Sequence, residues 1–112
     1  MRKFKMFIDG QWLDAASGET FESIDPYRGE PWALIPRAGV NDVHKAVEAA
    51  SKAFESEAWH GLMAKERGDL LFKLADVFAR NAERIADIEV RDNGKLMSEM
   101  LGQMHYIPQW FK

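Results

Sequence analysis

The sequence predicts an α/β chain in which short β-strands and a hairpin over residues 1–40 precede three or four amphipathic helices over residues 41–112. Three observations carry that expectation. Turn-forming pairs rich in Gly, Asp and Pro recur through the first forty residues, as between short strands. Near Gly39-Val40-Asn41-Asp42 the apolar residues change from alternation to spacings of three and four, the mark of a helix with one buried face. Composition is that of an ordinary globular domain, 46% hydrophobic and 29% charged over 112 residues. A chain of this length buries roughly 65% of its unfolded surface.

Phe7-Ile8 and Trp12-Leu13 flank Asp9-Gly10, a pair that tolerates the positive φ angles of a tight turn, so two paired strands are expected there. Ala16-Ser17-Gly18-Glu19 is a second turn, and Thr20 to Ile24 alternates as a half-buried strand. Asp25-Pro26-Tyr27-Arg28-Gly29-Glu30 joins a residue with fixed φ to one with free φ, which predicts another turn. Trp32-Ala33-Leu34-Ile35 is a further strand closed by Pro36.

The stripe Val43, Val47, Ala50, Ala53, Phe54 predicts a helix from about Val43 to Glu57, with Asn41 or Asp42 accepting from its free N–H groups. A second helical pattern starts near Ala64 and carries Leu70, Leu71, Leu74, Ala75, Val77, Phe78, Ala82, Ile85 and Ile88. It is longer than the usual globular helix, so a break is expected near Asn81. Asp92-Asn93-Gly94-Lys95 supplies the stop, since Asn or Gly adopts the left-handed conformation past a helix end. Met97, Met100, Leu101, Met104 and Ile107 form a third stripe, which Pro108 interrupts. Trp110 and Phe111 then stand without a polar tail, and large apolar groups of that kind find a partner surface. The expectation is a chain that continues into further sequence.

Charge and composition exclude several classes of function. Fifteen Lys and Arg are scattered among 18 Asp and Glu, for a net charge of −3, so no continuous positive face meets nucleic acid or an anionic membrane. The start Met1-Arg2-Lys3-Phe4-Lys5 lacks a following apolar stretch, and no run approaches the ~18 apolar residues of a membrane span. A cytoplasmic location is expected. The absence of cysteine removes disulfides, thiolate metal sites and any cysteine nucleophile. His44, His60 and His105 lie in three segments without the spacing that puts two imidazoles on one helical face. Surface or packing roles are expected for all three. Asp25, Asp92 and Glu99 have no local spacing that pairs them, and the glycines stand too far apart to cradle a phosphate. Arg67 is read as solvated, with a buried ion pair as the alternative, and the methionines as packing groups. No catalytic and no cofactor-binding residue is therefore expected in this segment.

The ordered string of motifs resembles the N-terminal segment of the NAD(P)-dependent aldehyde dehydrogenase superfamily. It runs from Phe7-Ile8-Asp9-Gly10-Gln11-Trp12 through Ser17-Gly18-Glu19-Thr20-Phe21 and Asp25-Pro26-Tyr27-Arg28-Gly29-Glu30. It continues with Asp42-Val43, Ala46-Val47-Glu48-Ala49-Ala50, Ala53-Phe54, Trp59 and Arg67-Gly68-Asp69-Leu70-Leu71. Leu74-Ala75-Asp76, Glu89 and Asp92-Asn93-Gly94-Lys95 complete it. Asp25 stands where the family usually has Asn, and still serves a turn.

The resemblance implies a parent protein with a doubly wound sheet, in which residues 1–112 form the N-terminal part of the coenzyme-binding domain and the catalytic domain lies elsewhere. It implies oxidation of an aldehyde to a carboxylic acid with NAD or NADP, through a cysteine thiohemiacetal and thioester with help from a glutamate, in a homodimer or homotetramer. None of those reacting groups maps onto this chain. The segment alone is expected to be inactive and to need no cofactor, its partner being the remainder of its own polypeptide. Some family members also hold a structural cation, which would fall here on backbone carbonyls of Ser23 or Ile24 and on Asp92, oxygen ligands suited to Na⁺ or Mg²⁺. The rival reading gives Asp92 to the helix-ending turn. The alternative for the whole chain is a stand-alone, non-catalytic interaction module that associates with full-length subunits.

Overall fold

A computed structural model describes all 112 residues. Strands fill the first third: β1 Arg2–Lys3, β2 Met6–Ile8, β3 Gln11–Leu13, β4 Thr20–Asp25 and β5 Glu30–Pro36. Helices fill the rest: α1 Val40–Glu55, α2 Glu57–His60, α3 Ala64–Arg80, α4 Ala82–Asn93 and α5 Met97–Tyr106, followed by a 3₁₀ turn over Ile107–Phe111. This is the α/β order expected, with α1, α3, α4 and α5 as the four amphipathic helices. The chain divides into two compact units, Met1–Ile24 with Glu30–Gly61, and Asp25–Gly29 with Leu62–Lys112.

In the first unit β2 and β3 form the expected antiparallel hairpin, pairing Met6 with Leu13, Phe7 with Trp12 and Ile8 with Gln11. Asp9 (φ 51°) and Gly10 (φ 72°) both take the left-handed backbone that a two-residue turn requires between right-twisted strands. That register sets Phe7 opposite Trp12, ring centroids 4.9 Å apart, a cross-strand aromatic pair. A second sheet has the order β1-β5-β4, with Arg2 beside Ala33 and Lys3 beside Leu34 in parallel. Strand β1 has no counterpart in the sequence pattern, because two exposed basic residues carry no alternation. Its position is held by Phe4 N–H donating to the Leu34 carbonyl (3.0 Å) and by an edge-to-face contact between the Phe4 and Trp32 rings.

Helix α1 corrects the expected start. Its N-cap is Gly39 and its first helical residue Val40, so Asn41 and Asp42 already lie inside the first turn. Asp42 instead reaches back: its carboxylate accepts from Gly39 N–H at 2.9 Å and from Ala16 N–H at 3.1 Å. A single buried acid thus satisfies an orphan helix amide and ties the helix to the turn 26 residues earlier. Ser56, extended at ψ 147°, ends α1 two residues before the expected Glu57 and opens α2, which is too short to show a period in the sequence.

In the second unit the long helical pattern breaks at Asn81, as expected, where ψ of 9° departs from the helix and the side-chain amide donates to Val77 O at 2.8 Å. Ala82 and Ala86 of α4 are small enough for α5 to bring Met100 and Met104 against them, and these four buried residues form the core. Phe78, Ile85, Val90, Leu101 and Ile107 pack around it. Pro108 does not stop the chain from coiling. It sits in the first turn of the 3₁₀ segment, where its missing N–H has no partner to lose.

Two turns meet in this unit. Asp25 is buried, and its carboxylate accepts from the N–H groups of Tyr27 (2.9 Å) and Arg28 (3.2 Å), while Gly29 N–H closes on the Asp25 carbonyl at 2.8 Å. Helix α4 ends at Gly94, whose φ of +73° is left-handed and whose N–H donates to Val90 O at 2.9 Å. A Cβ at Gly94 would lie a crowded 3.1 Å from Cβ of Pro26, so both the backbone conformation and the space favour glycine.

Candidate functional site

Catalysis would need a nucleophile, a base and an oxyanion donor converging on one cavity. The histidines do not converge: His44 lies on α1, His60 on α2 and His105 on α5, all exposed. Arg67, half-buried in the first turn of α3, donates to the Leu62 carbonyl just before that helix. Asp25 is engaged by its own turn, Glu99 is exposed on α5, and Asp92 lies one residue from the end of α4. No group of three or more His, Asp or Glu side chains is arranged to hold a metal. Of the residues expected near a cation, Ser23 and Ile24 belong to β4 in the first unit and Asp92 to α4 in the second. The Ser23 hydroxyl accepts from the Trp32 indole N–H at 3.2 Å.

Helix N-termini are the other places where a polypeptide greets an anion. In α1 the first amide is taken by Asp42, and in α3 Met63 N–H donates to the Glu66 carboxylate at 2.7 Å. Both termini are therefore already faced by a negative charge of their own first turn, which repels a phosphate. Asp42 is the expected acceptor at the start of α1, whereas Glu66 is not singled out by the sequence pattern, although it carries the same signal: an acid three residues past the cap is half of a capping box.

Among the concave surfaces are two that each lie within one unit. One, of about 230 Å³, is a groove between the hairpin and α1, bounded by Ile8, Gln11, Leu13 and Ala49 with Lys45 and Lys52 at its rim. Lys52 is paired with Glu48 at 3.4 Å. The other lies beside Gln103, Tyr106 and Trp110, whose last two rings meet edge to face at 5.8 Å. Neither brings a nucleophile to a base. No helix is long and apolar enough to cross a membrane.

Comparison with known proteins supplies what the geometry leaves open. The model of the aldehyde dehydrogenase family matches residues 12–112. The chain belongs to that family. It is 40% identical, over its full 112 residues, to (Z)-2-((N-methylformamido)methylene)-5-hydroxybutyrolactone dehydrogenase of Acinetobacter baylyi, and covers 22% of that protein. To aldehyde dehydrogenase family 2 member C4 of Arabidopsis thaliana it is 44% identical over 104 residues, 93% of this chain and 20% of the relative. Among solved structures, the NAD-dependent aldehyde dehydrogenase of Sinorhizobium meliloti superposes with a TM-score of 0.92 at 34% identity, over 99% of this chain and 22% of that one. Betaine aldehyde dehydrogenase of Staphylococcus aureus, solved with NAD⁺, gives 0.88 at 32% identity, over 96% of this chain and 22% of that one. The chain thus spans about a fifth of the length of the aldehyde dehydrogenases it matches.

Proposed function

We propose that residues 1–112 are the N-terminal structural part of the coenzyme-binding domain of a cytoplasmic aldehyde dehydrogenase, contributing scaffold and no reacting group. One observation carries the reading: the apolar stripes of two helices are open. Val40, Val43, Val47 and Phe54 of α1 are 55–73% exposed, and Leu70, Leu71, Leu74 and Val77 of α3 are 40–46% exposed. Water-facing stripes of this size on regular amphipathic helices call for a covering layer. The match to about a fifth of the relatives' length supports a layer supplied by the rest of the same polypeptide. Such a parent oxidises an aldehyde to a carboxylic acid in a homodimer or homotetramer.

The chain's own residues do not fit a coenzyme. Its glycines are dispersed, and the amides opening α1 and α3 face carboxylates. A coenzyme held by other parts of the parent, NAD or NADP, would supply the hydride acceptor for aldehyde oxidation. The nucleophilic cysteine also lies outside these residues, since the chain has none. The test is aldehyde-dependent reduction of NAD⁺ and NADP⁺ by these residues alone and joined to the coding sequence that follows them. Activity only in the joined protein, abolished together with solubility by Val47→Asp and Leu74→Asp, is the expected result. Turnover by the 112 residues alone overturns the proposal. Soluble, inactive protein that binds full-length subunits replaces it with the interaction-module reading.

A further inference from the structure

The last turn of α4 places the most easily deamidated dipeptide, Asn-Gly, at an exposed position and then restrains it. We propose that Asn93–Gly94 is a conformation-gated deamidation site, with Glu89 as the latch that slows it.

The reaction uses only the chain and water. The backbone nitrogen of Gly94 attacks Cγ of Asn93. A C–N bond forms, the Cγ–Nδ2 bond breaks, and ammonia leaves with the proton lost by the amide. Water then opens the five-membered succinimide at either carbonyl, giving Asp or isoaspartate at position 93. Glycine favours the step because it puts no Cβ in the way of its own nitrogen.

Three hydrogen bonds keep the reacting atoms apart in the folded chain. The Asn93 amide nitrogen donates to the Glu89 carboxylate, one turn back. The Asn93 amide oxygen accepts from Lys95 N–H at 2.9 Å. The attacking nitrogen itself donates to Val90 O at 2.9 Å, and so is aimed into the helix rather than at the side chain of Asn93. Attack requires this turn to open. Helix ends are where opening is cheapest, so the rate is the rate of the free dipeptide multiplied by the fraction of time the turn is open.

The product does not restore the old geometry. Isoaspartate inserts a methylene into the backbone just before Gly94, whose α-carbon passes Pro26 so closely that an added Cβ would already be crowded at 3.1 Å. Either product also adds a negative charge at the C-terminal end of α4, four residues from Glu89 and next to Asp92, where the helix dipole and like-charge repulsion both oppose it. Modification at one atom therefore loosens the contact between the two turns.

The experiment incubates the full chain, its Glu89→Ala and Glu89→Gln variants, and a synthetic peptide with the sequence of residues 90–95 at neutral and mildly alkaline pH. Isoaspartate and aspartate at position 93 are followed by peptide mapping and mass spectrometry. The peptide is expected to convert fastest and the native chain slowest. Glu89→Ala should convert about twice as fast as the native chain, the size of an exposed side-chain pair one helical turn apart. Glu89→Gln, which keeps an acceptor and loses the charge, should match the native rate. All rates should rise with pH, since the nucleophile is the deprotonated amide. Native protein converting as fast as the peptide overturns the gate. Equal rates for native and Glu89→Ala, or equal acceleration by Ala and Gln, overturn the latch. Asn93 unchanged in native chain and variants after the peptide has fully converted overturns the site.

Discussion

Replacing Gly94 with alanine isolates the junction between the Asp25–Gly29 turn and the end of α4. The backbone there has φ of +73°, a region that costs an ordinary L-residue about 1–2 kcal/mol. Alanine also stiffens the unfolded chain, which returns about 0.4–1 kcal/mol in a compatible backbone. Against that, the new Cβ would lie 3.1 Å from Cβ of Pro26 and 3.4 Å from its Cγ, so a proline ring fixed in a turn has to give by a few tenths of an ångström. The net expectation is a loss of about 1–2 kcal/mol, a factor of roughly 5–30 in the folded-to-unfolded ratio. Urea denaturation reads it as a lower midpoint with an unchanged slope. Gly94→Asn relieves the backbone cost, because Asn tolerates the left-handed region, but keeps the crowding, so its loss should be smaller and should measure the Pro26 contact. Gly68→Ala is the opposite control: Gly68 lies within α3, where an added methyl would meet open space, and the substitution should stabilise by about 0.5–1 kcal/mol. Gly94→Ala as stable as the parent, or Gly68→Ala as damaging as Gly94→Ala, refutes the reasoning.

Three further outcomes are expected. Asp42→Ala removes a helix cap and strands Ala16 N–H, for a loss of about 2–3 kcal/mol in chemical denaturation, and Asp42→Asn, which keeps one acceptor, should lose less. Met100→Ala empties the best-buried large side chain in the packing of α4 against α5 and should cost about 2–5 kcal/mol, read in the same assay. Trp12→Ala, on the exposed aromatic pair, should cost only about 0.5–1.5 kcal/mol, and a much larger loss would mean that the hairpin is covered in solution.

The parts legible in the sequence are those decided by neighbouring residues. Asp9-Gly10 determines its own turn, Asn81 breaks its own helix, and Gly94 ends α4, so each can be read from a few positions. Strand β1 cannot, because Arg2 and Lys3 become a strand only by pairing with Ala33 and Leu34, some thirty residues away. Asp42 is recognisable as a helix-start acid but not as one inside the first turn, since its role is set by Ala16, a partner distant in sequence. Pro108 interrupts the third stripe, and α5 ends at Tyr106; that the chain goes on as a 3₁₀ turn is not visible in the stripe, although a helical first turn accepts proline. The scattering of the histidines is visible from spacing alone. That Asp42 and Glu66 face the starts of α1 and α3 is encoded locally, in the three-residue step from each cap, and is easily missed where the cap itself is Gly or Met.

The central claim is that these residues form the scaffold at the start of a longer enzyme whose remaining sequence covers their apolar faces. Intact-mass measurement of the protein purified from its native source tests it most directly, combined with aldehyde-dependent coenzyme reduction on the same sample. The expected result is an active species about four to five times the mass of these 112 residues. A stable species of 112 residues that dissolves as a monomer and melts sharply, with its α1 and α3 stripes open to water, would contradict it.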